Sequence, residues 1–226
     1  MLVVDDHQLI LTGTLDVLKR QYPNAEFFQV KTARDALEEI AKIRAMQKNG
    51  ESSKAPLDLI VVDLSIPESE GFPATTDTGI ELIQQLLKQY PEQNFLVQSS
   101  YVKALVRIKH EIDNHQGGFA IADKSLPESE MLTRAVSALQ GATHTKEIRT
   151  GIELKPEWLR VLRLAFDEGL MDKAIAERMY KSERAIRTYW TKIQDVLGIY
   201  PEDCKEAGKS LRTQTEIRAR QEGLIN

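Results

Sequence analysis

Charged and hydroxyl side chains in the first half of the sequence stand at the ends of short apolar runs. Asp5 and Asp6 follow the run LVV, Asp63 follows LIVV, Ser99 follows FLVQ, and Lys124 follows FAIAD. A charge at the end of a buried strand costs free energy unless a partner or a function uses it. If these runs are neighbouring parallel strands, their carboxyl ends meet at one edge of a sheet. The sequence therefore predicts three carboxylates, a hydroxyl and an ammonium close together.

The chemistry of such a set is phosphoryl transfer. Adjacent carboxylates raise one another's pKa unless a cation compensates them, and Mg²⁺ prefers a few carboxylates, water and a phosphate. Carboxylates are known covalent acceptors, so we expect Asp63 to attack a phosphoryl group while Asp6 and Asp63 hold the ion and Asp5 contacts it through water. Lys124 would pair with the phosphoryl oxygens, and Ser99 could donate a hydrogen bond to one of them.

The elements that must position these groups alternate along the chain. Strand-like runs lie at 2–6, 25–30, 57–63, 94–100 and 117–124, and helical apolar spacing lies at 8–21, 32–46, 78–90, 102–112 and 128–141. Apolar strands that are each followed by a helix predict a parallel sheet covered on both faces. We therefore expect an α/β domain of five strands and five helices over residues 1–143.

The composition and the first residues of the sequence predict where the protein is found in the cell. The 226 residues carry a net charge of -4, and the single cysteine, Cys204, cannot form an internal disulfide, which fits a reducing compartment. No apolar run approaches the roughly 20 residues that span a bilayer. The first residues are acidic where a signal peptide is basic, so we expect a cytoplasmic protein without a membrane partner.

The last third of the chain predicts a small all-α domain that reads DNA. After a polar linker at 144–153, helical spacing occurs at 155–169, 172–180 and 183–198. Two short helices with a tight turn form a helix-turn-helix, and the second helix would present basic and hydroxyl side chains to DNA. A solvated helix face is the simpler alternative. The candidate DNA-binding residues are Ser182, as N-cap, and Arg184, Arg187, Thr188, Thr191 and Lys192.

Residues 1 to about 143 resemble the receiver domain of a two-component response regulator. The resemblance rests on the stretches VVDDH, DLIVVDLSIP, VQSS and GGFAIADKS. It implies a (βα)5 flavodoxin-like fold and a sensor histidine kinase as phosphodonor. The resemblance also implies a role for each matching residue: Asp5 and Asp6 as the acidic metal pair, Asp63 as phosphoacceptor, Ser65 as a backbone carbonyl ligand of Mg²⁺, Ser99 as the switch hydroxyl, and Lys124 as the phosphate-binding lysine.

Residues 154–226 resemble the helix-turn-helix output domain of the NarL/LuxR class. The matching positions are Gly169-Leu170, Ile175-Ala176, Ser182, Ile186-Arg187, Ile193, Leu197-Gly198, Ala219 and Gly223-Leu224-Ile225. Together the two resemblances imply a transcription regulator rather than an enzyme, which binds promoter DNA and forms a homodimer when active.

The sequence also departs from both patterns. Ile121 stands where receivers usually have an aromatic switch residue, the segment 67–79 is much longer than the usual spacer, and 200–210 is an insertion. Two alternatives therefore stay open. One is an atypical regulator that works through a protein partner without phosphorylation, and the other is a phosphotransfer enzyme whose helical domain binds protein. A haloacid-dehalogenase-type phosphatase is disfavoured because position 65 is serine rather than a second acid.

Overall fold

The computed structural model describes residues 1–48, 57–148, 154–206 and 208–225. The chain divides into two compact units, one formed by Met1–Val102 and Ile108–Glu147, the other by Lys103–Arg107 and Ile148–Asn226. Residues 49–56, between the helix predicted at 32–46 and the strand predicted at 57–63, and the end of the linker predicted at 144–153 lie outside the described residues. No helix in the described ranges is both long and apolar enough to cross a membrane.

The first unit is built on a parallel sheet, as the alternation predicted. Its strands are ordered β2-β1-β3-β6-β7-β8, and every neighbouring pair is parallel. The bounds are β1 Leu2–Val4, β2 Phe28–Val30, β3 Ile60–Val62, β6 Phe95–Ser99, β7 Phe119–Asp123 and β8 Thr143–His144. The two-residue strand β8, at the junction between the domain predicted at 1–143 and the linker predicted at 144–153, adds a sixth strand at one edge.

Helices cover this sheet, and their apolar stripes supply its core. Their bounds are α1 Gln8–Gln21, α2 Ala33–Lys48, α3 Thr76–Gln89, α4 Lys109–Asp113 and α5 Glu128–Leu139. Thr32 caps α2, because its hydroxyl accepts a hydrogen bond from the Asp35 amide at 3.1 Å. The helix predicted at 102–112 is instead a 3-10 helix, Val102–Ile108, followed by the short α4.

The long segment after β3 folds into a small antiparallel hairpin. Strand β4, Ile66–Pro67, pairs with β5, Ala74–Thr75. Thr75 then caps α3, since its side chain accepts from the Thr78 amide at 3.2 Å. The side chain of Phe72, in the turn of this hairpin, is exposed.

A close contact between backbones fixes the start of α3 against this region. A Cβ added to Gly79 would lie 2.1 Å from the carbonyl oxygen of Leu64. Only glycine permits an approach of this kind. Because Leu64 directly follows Asp63, the contact positions the chain immediately after the candidate acceptor.

The second unit is a helical domain with its own apolar core. Its helices are α6 Pro156–Phe166, α7 Asp172–Arg178, α8 Glu183–Leu197, α9 Pro201–Glu206 and α10 Leu211–Gln221. The apolar face of α8 consists of Ile186, Trp190, Ile193 and Leu197, and all four are buried. Helix α9 lies within the 200–210 insertion, and it places Cys204 among the buried residues.

Candidate functional site

The strand ends bring two acids and a lysine into direct contact. The Lys124 ammonium lies 2.7 Å from Oδ2 of Asp63 and 2.7 Å from Oδ2 of Asp5. These three residues come from the ends of β7, β3 and β1, and both carboxylates are buried. The parallel register makes this meeting possible, because β1 and β3 are adjacent and their carboxyl ends point the same way.

Backbone amides hold both carboxylates in place. The Ser65 amide donates to Oδ1 of Asp63 at 3.2 Å, and the His7 amide donates to Oδ1 of Asp5 at 2.8 Å. In both cases, an amide in the turn after the strand donates a hydrogen bond to the acid at the strand's end. As a result, each carboxylate has one oxygen on a backbone amide and the other on Lys124.

Burial and charge act in opposite directions on this group of residues. Burial raises the pKa of Asp5, and the hydrogen bonds from Lys124 and the His7 amide only partly offset that effect. Burial also opposes the charge on Lys124, but hydrogen bonds to Asp5 and Asp63 outweigh it, so the pKa of Lys124 is raised. The ammonium therefore stays charged beside the acceptor.

Asp6 is less buried, and its environment is unusual. Its Oδ1 atom is shielded from solvent and forms no hydrogen bond with any described residue. The Nδ1 atom of His7 lies 2.7 Å away, a contact that would be an ion pair with a protonated imidazole but lacks the direction of a hydrogen bond. A buried carboxylate oxygen without a hydrogen bond is costly, so its environment favours the binding of a cation.

The donor set fits a hard divalent cation. Ligand atoms from Asp5, Asp6, His7 and Asp63 all lie within 4.8 Å of one another. Three of the four are carboxylates, which suit Mg²⁺ better than they suit a softer metal. His7 is not among the ligands predicted from the sequence, because the histidines of this chain have no metal-ligand spacing, and only the fold brings His7 to the acids.

Ser99 lies at the end of β6 and is fully buried. In this structure its hydroxyl accepts a hydrogen bond from the Tyr101 amide at 3.2 Å. Its carbonyl oxygen accepts from the Lys124 amide at 3.3 Å. The backbone of Ser99 is thus tied to the lysine, whereas its hydroxyl is tied to the chain that leads away from the strand.

A second candidate site is the exposed face of α8. Ser182 caps this helix, since its hydroxyl accepts from the Ala185 amide at 3.2 Å. The predicted contact residues all lie on the solvent side of the helix: Arg184, Arg187, Thr188, Thr191 and Lys192. Arg187 also lies 3.3 Å from the Glu183 carboxylate, one turn earlier on the same helix.

A charged cluster holds α8 against its neighbours. Oδ1 of Asp172 accepts from the indole nitrogen of Trp190 at 3.0 Å and lies 3.3 Å from the guanidinium of Arg212. The Arg212 guanidinium stacks over the Trp190 ring at 3.5 Å from its centroid. Asp172 is the first residue of α7, whose N-cap is Met171, so its side chain is available to bond Trp190 rather than to cap the helix.

Comparison with known proteins found a similar sequence and similar structures. No protein-family model matches the sequence. The sequence is 25% identical over 212 residues to the DNA-binding transcriptional activator DevR/DosR of Mycobacterium tuberculosis, and the match covers 87% of each chain.

Solved structures of RcsB have a similar fold. RcsB from Salmonella enterica serovar Typhimurium, bound to promoter rprA with phosphomimetic BeF3⁻, is 19% identical with a TM-score of 0.52. That match covers 88% of this chain and 92% of the other. A two-component response regulator RcsB–DNA complex is 18% identical with a TM-score of 0.51, covering 88% and 91%.

The similar sequence and the similar structures each cover most of this chain, so the resemblance includes both of its units. The parallel sheet carries Asp5, Asp63 and Lys124 at one edge, and a helix-turn-helix unit follows it along the chain. The chain therefore shares with the RcsB structures a two-unit architecture, a parallel α/β unit followed by a helix-turn-helix unit.

Proposed function

We propose that this chain is a phosphorylation-controlled transcriptional regulator. A sensor histidine kinase donates a phosphoryl group to Asp63, and the helix-turn-helix unit binds promoter DNA as a homodimer. The observation that carries the proposal is the contact of Lys124 with both Asp5 and Asp63 at the edge of the sheet. We further propose that the protein is cytoplasmic and acts as a regulator rather than as an enzyme.

The receiver residues divide the chemistry among them. Asp5, Asp6 and Asp63, with the backbone carbonyl of Ser65, would hold Mg²⁺, which supplies charge compensation for the phosphoryl oxygens. Asp63 is the nucleophile. Lys124 exchanges its contact with Asp63 for a phosphoryl oxygen and so neutralises charge there.

Ser99 links this chemistry to the rest of the fold. Its hydroxyl has only the Tyr101 amide as a described partner, so it can turn to donate a hydrogen bond to a phosphoryl oxygen. That rotation would release the Tyr101 amide and change the chain that leaves β6. Ser99 is therefore the group that reports phosphorylation to the following segment.

The test of the receiver proposal is incubation of the full chain with Mg²⁺ and acetyl phosphate, followed by intact mass measurement. We expect one phosphoryl adduct, which Asp63→Asn and chelation of Mg²⁺ both abolish. Asp58→Asn is the matched control, because Asp58 is an exposed acid before the same strand. A wild-type chain that stays unmodified while an ordinary receiver is labelled would overturn phosphorylation.

The test of DNA binding compares two arginines on different helices. Arg187→Ala removes an exposed charge from α8, and Arg160→Ala removes an exposed charge from α6. Loss of a base-reading arginine costs about 1–3 kcal/mol on a selected site, whereas the Arg160 variant should bind as wild type does. Equal binding by both folded variants would contradict the assignment of α8 as the DNA reader.

The atypical regulator remains the second candidate, because one feature of the structure favours it. The β4–β5 hairpin presents the exposed Phe72 close in sequence to Asp63, where a protein partner could bind. On that reading, DNA binding would be unchanged by acetyl phosphate and by Asp63→Asn. Dependence of DNA affinity on phosphorylation would support the first proposal instead.

A further inference from the structure

Five helix ends share one hydrogen-bond pattern in the part of the chain that the structure describes. In each, the amide of one residue bonds to the carbonyl three residues back, and the next amide bonds to the carbonyl five residues back from itself. This is the Schellman motif, whose central residue must adopt the left-handed conformation and is usually glycine. Glycine fills that position at four of these ends: Gly141, Gly198, Gly208 and Gly223.

The fifth end closes α7 with a tyrosine. The Tyr180 amide bonds to the Glu177 carbonyl, the Lys181 amide bonds to the Ala176 carbonyl, and φ of Tyr180 is +54°. It is the only residue other than glycine with positive φ among the described residues. A bulky side chain strains the backbone there, because its Cβ approaches the following carbonyl oxygen.

Nothing in the folded unit accounts for this side chain. Tyr180 is 95% exposed, the highest value among the exposed large apolar and aromatic residues. Its phenol forms no hydrogen bond, ion pair or ring contact with any residue in the described ranges. Strained residues without a packing role persist where another function holds them. The strain and the exposure together therefore indicate a ligand outside the chain.

The position of Tyr180 indicates which ligand. It is two residues before the N-cap Ser182, in the turn of the helix-turn-helix, beside the end of α8 that enters the groove in this motif. Tyrosine hydroxyls are common donors to phosphate oxygens. We propose that Tyr180 binds the DNA backbone by donating its hydroxyl to a phosphate. This inference rests on the proposed function of the unit as a DNA reader.

The proposal has a signature that separates it from the basic contacts on α8. A phenol is uncharged at neutral pH, so its contact with a phosphate displaces no counterion from the DNA. The salt dependence of binding therefore stays unchanged, whereas loss of a cationic contact lowers the salt slope by about 1. A phosphate contact also carries no sequence information, so a selected and a scrambled duplex should lose affinity alike.

The experiment uses the full chain with two variants and a matched control. Tyr180→Phe removes only the hydroxyl, and Tyr180→Asn also removes the ring while tolerating positive φ. Tyr200→Phe is the control, because Tyr200 is an exposed tyrosine beyond the other end of the 15-residue α8, about 22 Å away along the helix axis. Each chain is titrated with a duplex selected from a random pool and with its scrambled version, at two salt concentrations.

We expect Tyr180→Phe to weaken binding of both duplexes by roughly three- to tenfold, the worth of one hydrogen bond, with no change in salt slope. Tyr180→Asn should weaken binding at least as much while melting at or above the temperature of wild type. Tyr200→Phe should bind as wild type does. Wild-type affinity in both Tyr180 variants, or a lower melting temperature for Tyr180→Asn, would overturn the inference alone.

A different result would contradict the DNA binding on which the inference rests. If the wild-type chain binds neither duplex at the lower salt concentration, with or without acetyl phosphate, the unit is not a DNA reader. The proposed function then falls, and the role of Tyr180 falls with it. If Tyr180→Phe instead loses affinity only for the selected duplex, Tyr180 reads bases and the backbone assignment is wrong.

Discussion

Replacement of Gly79 by alanine tests the close approach of α3 to the residue after the acceptor. The new Cβ would lie 2.1 Å from the Leu64 carbonyl oxygen and 2.5 Å from its carbonyl carbon. An ordinary contact between two such atoms is 3.4 Å or longer. The start of α3 must therefore move away from the Leu64 backbone by about 1 Å or more. Because the clashing atoms are backbone, which cannot turn aside as a side chain can, the overpacking lies at the upper end of its range, about 3 kcal/mol, and the helix propensity of alanine returns about 1 kcal/mol. We expect Gly79→Ala to lower the free energy of unfolding by about 2 kcal/mol.

Gly13 provides the matched control, because it also lies inside a helix of the first unit. A Cβ at Gly13 would meet nothing within 4 Å, so Gly13→Ala should stabilise the unit by roughly 0.5–1 kcal/mol. The assay is urea unfolding followed by far-UV circular dichroism. Both tryptophans, Trp158 and Trp190, belong to the second unit, so their fluorescence transition serves as an internal reference. If Gly79→Ala is as stable as Gly13→Ala, the close approach does not constrain the fold.

Three further predictions concern single side chains. Arg212→Ala should destabilise the second unit by about 1–2 kcal/mol, because it removes the stacking on Trp190, and the tryptophan fluorescence transition should report this loss. Glu183→Gln should raise affinity for duplex DNA about two- to threefold in the binding titration, since it frees Arg187 from its ion pair. Burial lowers the pKa of His115 below its usual 6.5, so wild-type stability should fall as pH drops below 6.5 towards that lowered value. His115→Gln should remove this component of the pH dependence when unfolding is measured at both ends of the window.

The acidic edge of the sheet could be predicted because each strand carries its own signal. A run such as LIVV is buried on both faces, and the acid that follows marks its carboxyl end. The parallel arrangement then requires that Asp5, Asp63 and Lys124 meet, and the distances of 2.7 Å confirm that they do. The sequence predicted this meeting from the parallel direction of the strands alone, without any knowledge of side-chain conformation.

Elements held by few hydrogen bonds or by tertiary contacts could not be predicted in the same way. Strand β8 has two residues and no apolar run, so only its pairing with β7 defines it. In the segment predicted as a helix at 102–112, the buried residues Val102, Leu105 and Ile108 recur every third position, which suits a 3-10 helix as well as an α-helix. Periodicity over such a short stretch does not separate the two.

The environments of His7 and Tyr180 could not be predicted from the sequence for a related reason. His7 joins the acidic cluster through the local turn after β1, and its ring position depends on a rotamer. Tyr180 occupies a position that sequence rules assign to glycine or asparagine, so no pattern announces its positive φ. Both features follow from the folded backbone, and both lie at the sites where we propose function.

The charge balance at the acidic edge explains how two proposed roles of the first unit are linked. These roles are acceptance of a phosphoryl group and transmission of the signal to β6. Asp5, Asp6 and Asp63 face one ammonium, Lys124, so the cluster carries an excess of negative charge that would repel an anionic phosphodonor. Lys124 cannot compensate a phosphoryl group while it is shared between two carboxylates at 2.7 Å. Phosphorylation must therefore change its partners, and a cation on the carboxylates would lower the cost of that exchange. Because the Lys124 amide is bonded to the Ser99 carbonyl, any shift of the lysine backbone also reaches the end of β6. The residue that stabilises the acceptor is thus also attached to the strand that would carry the signal away from it.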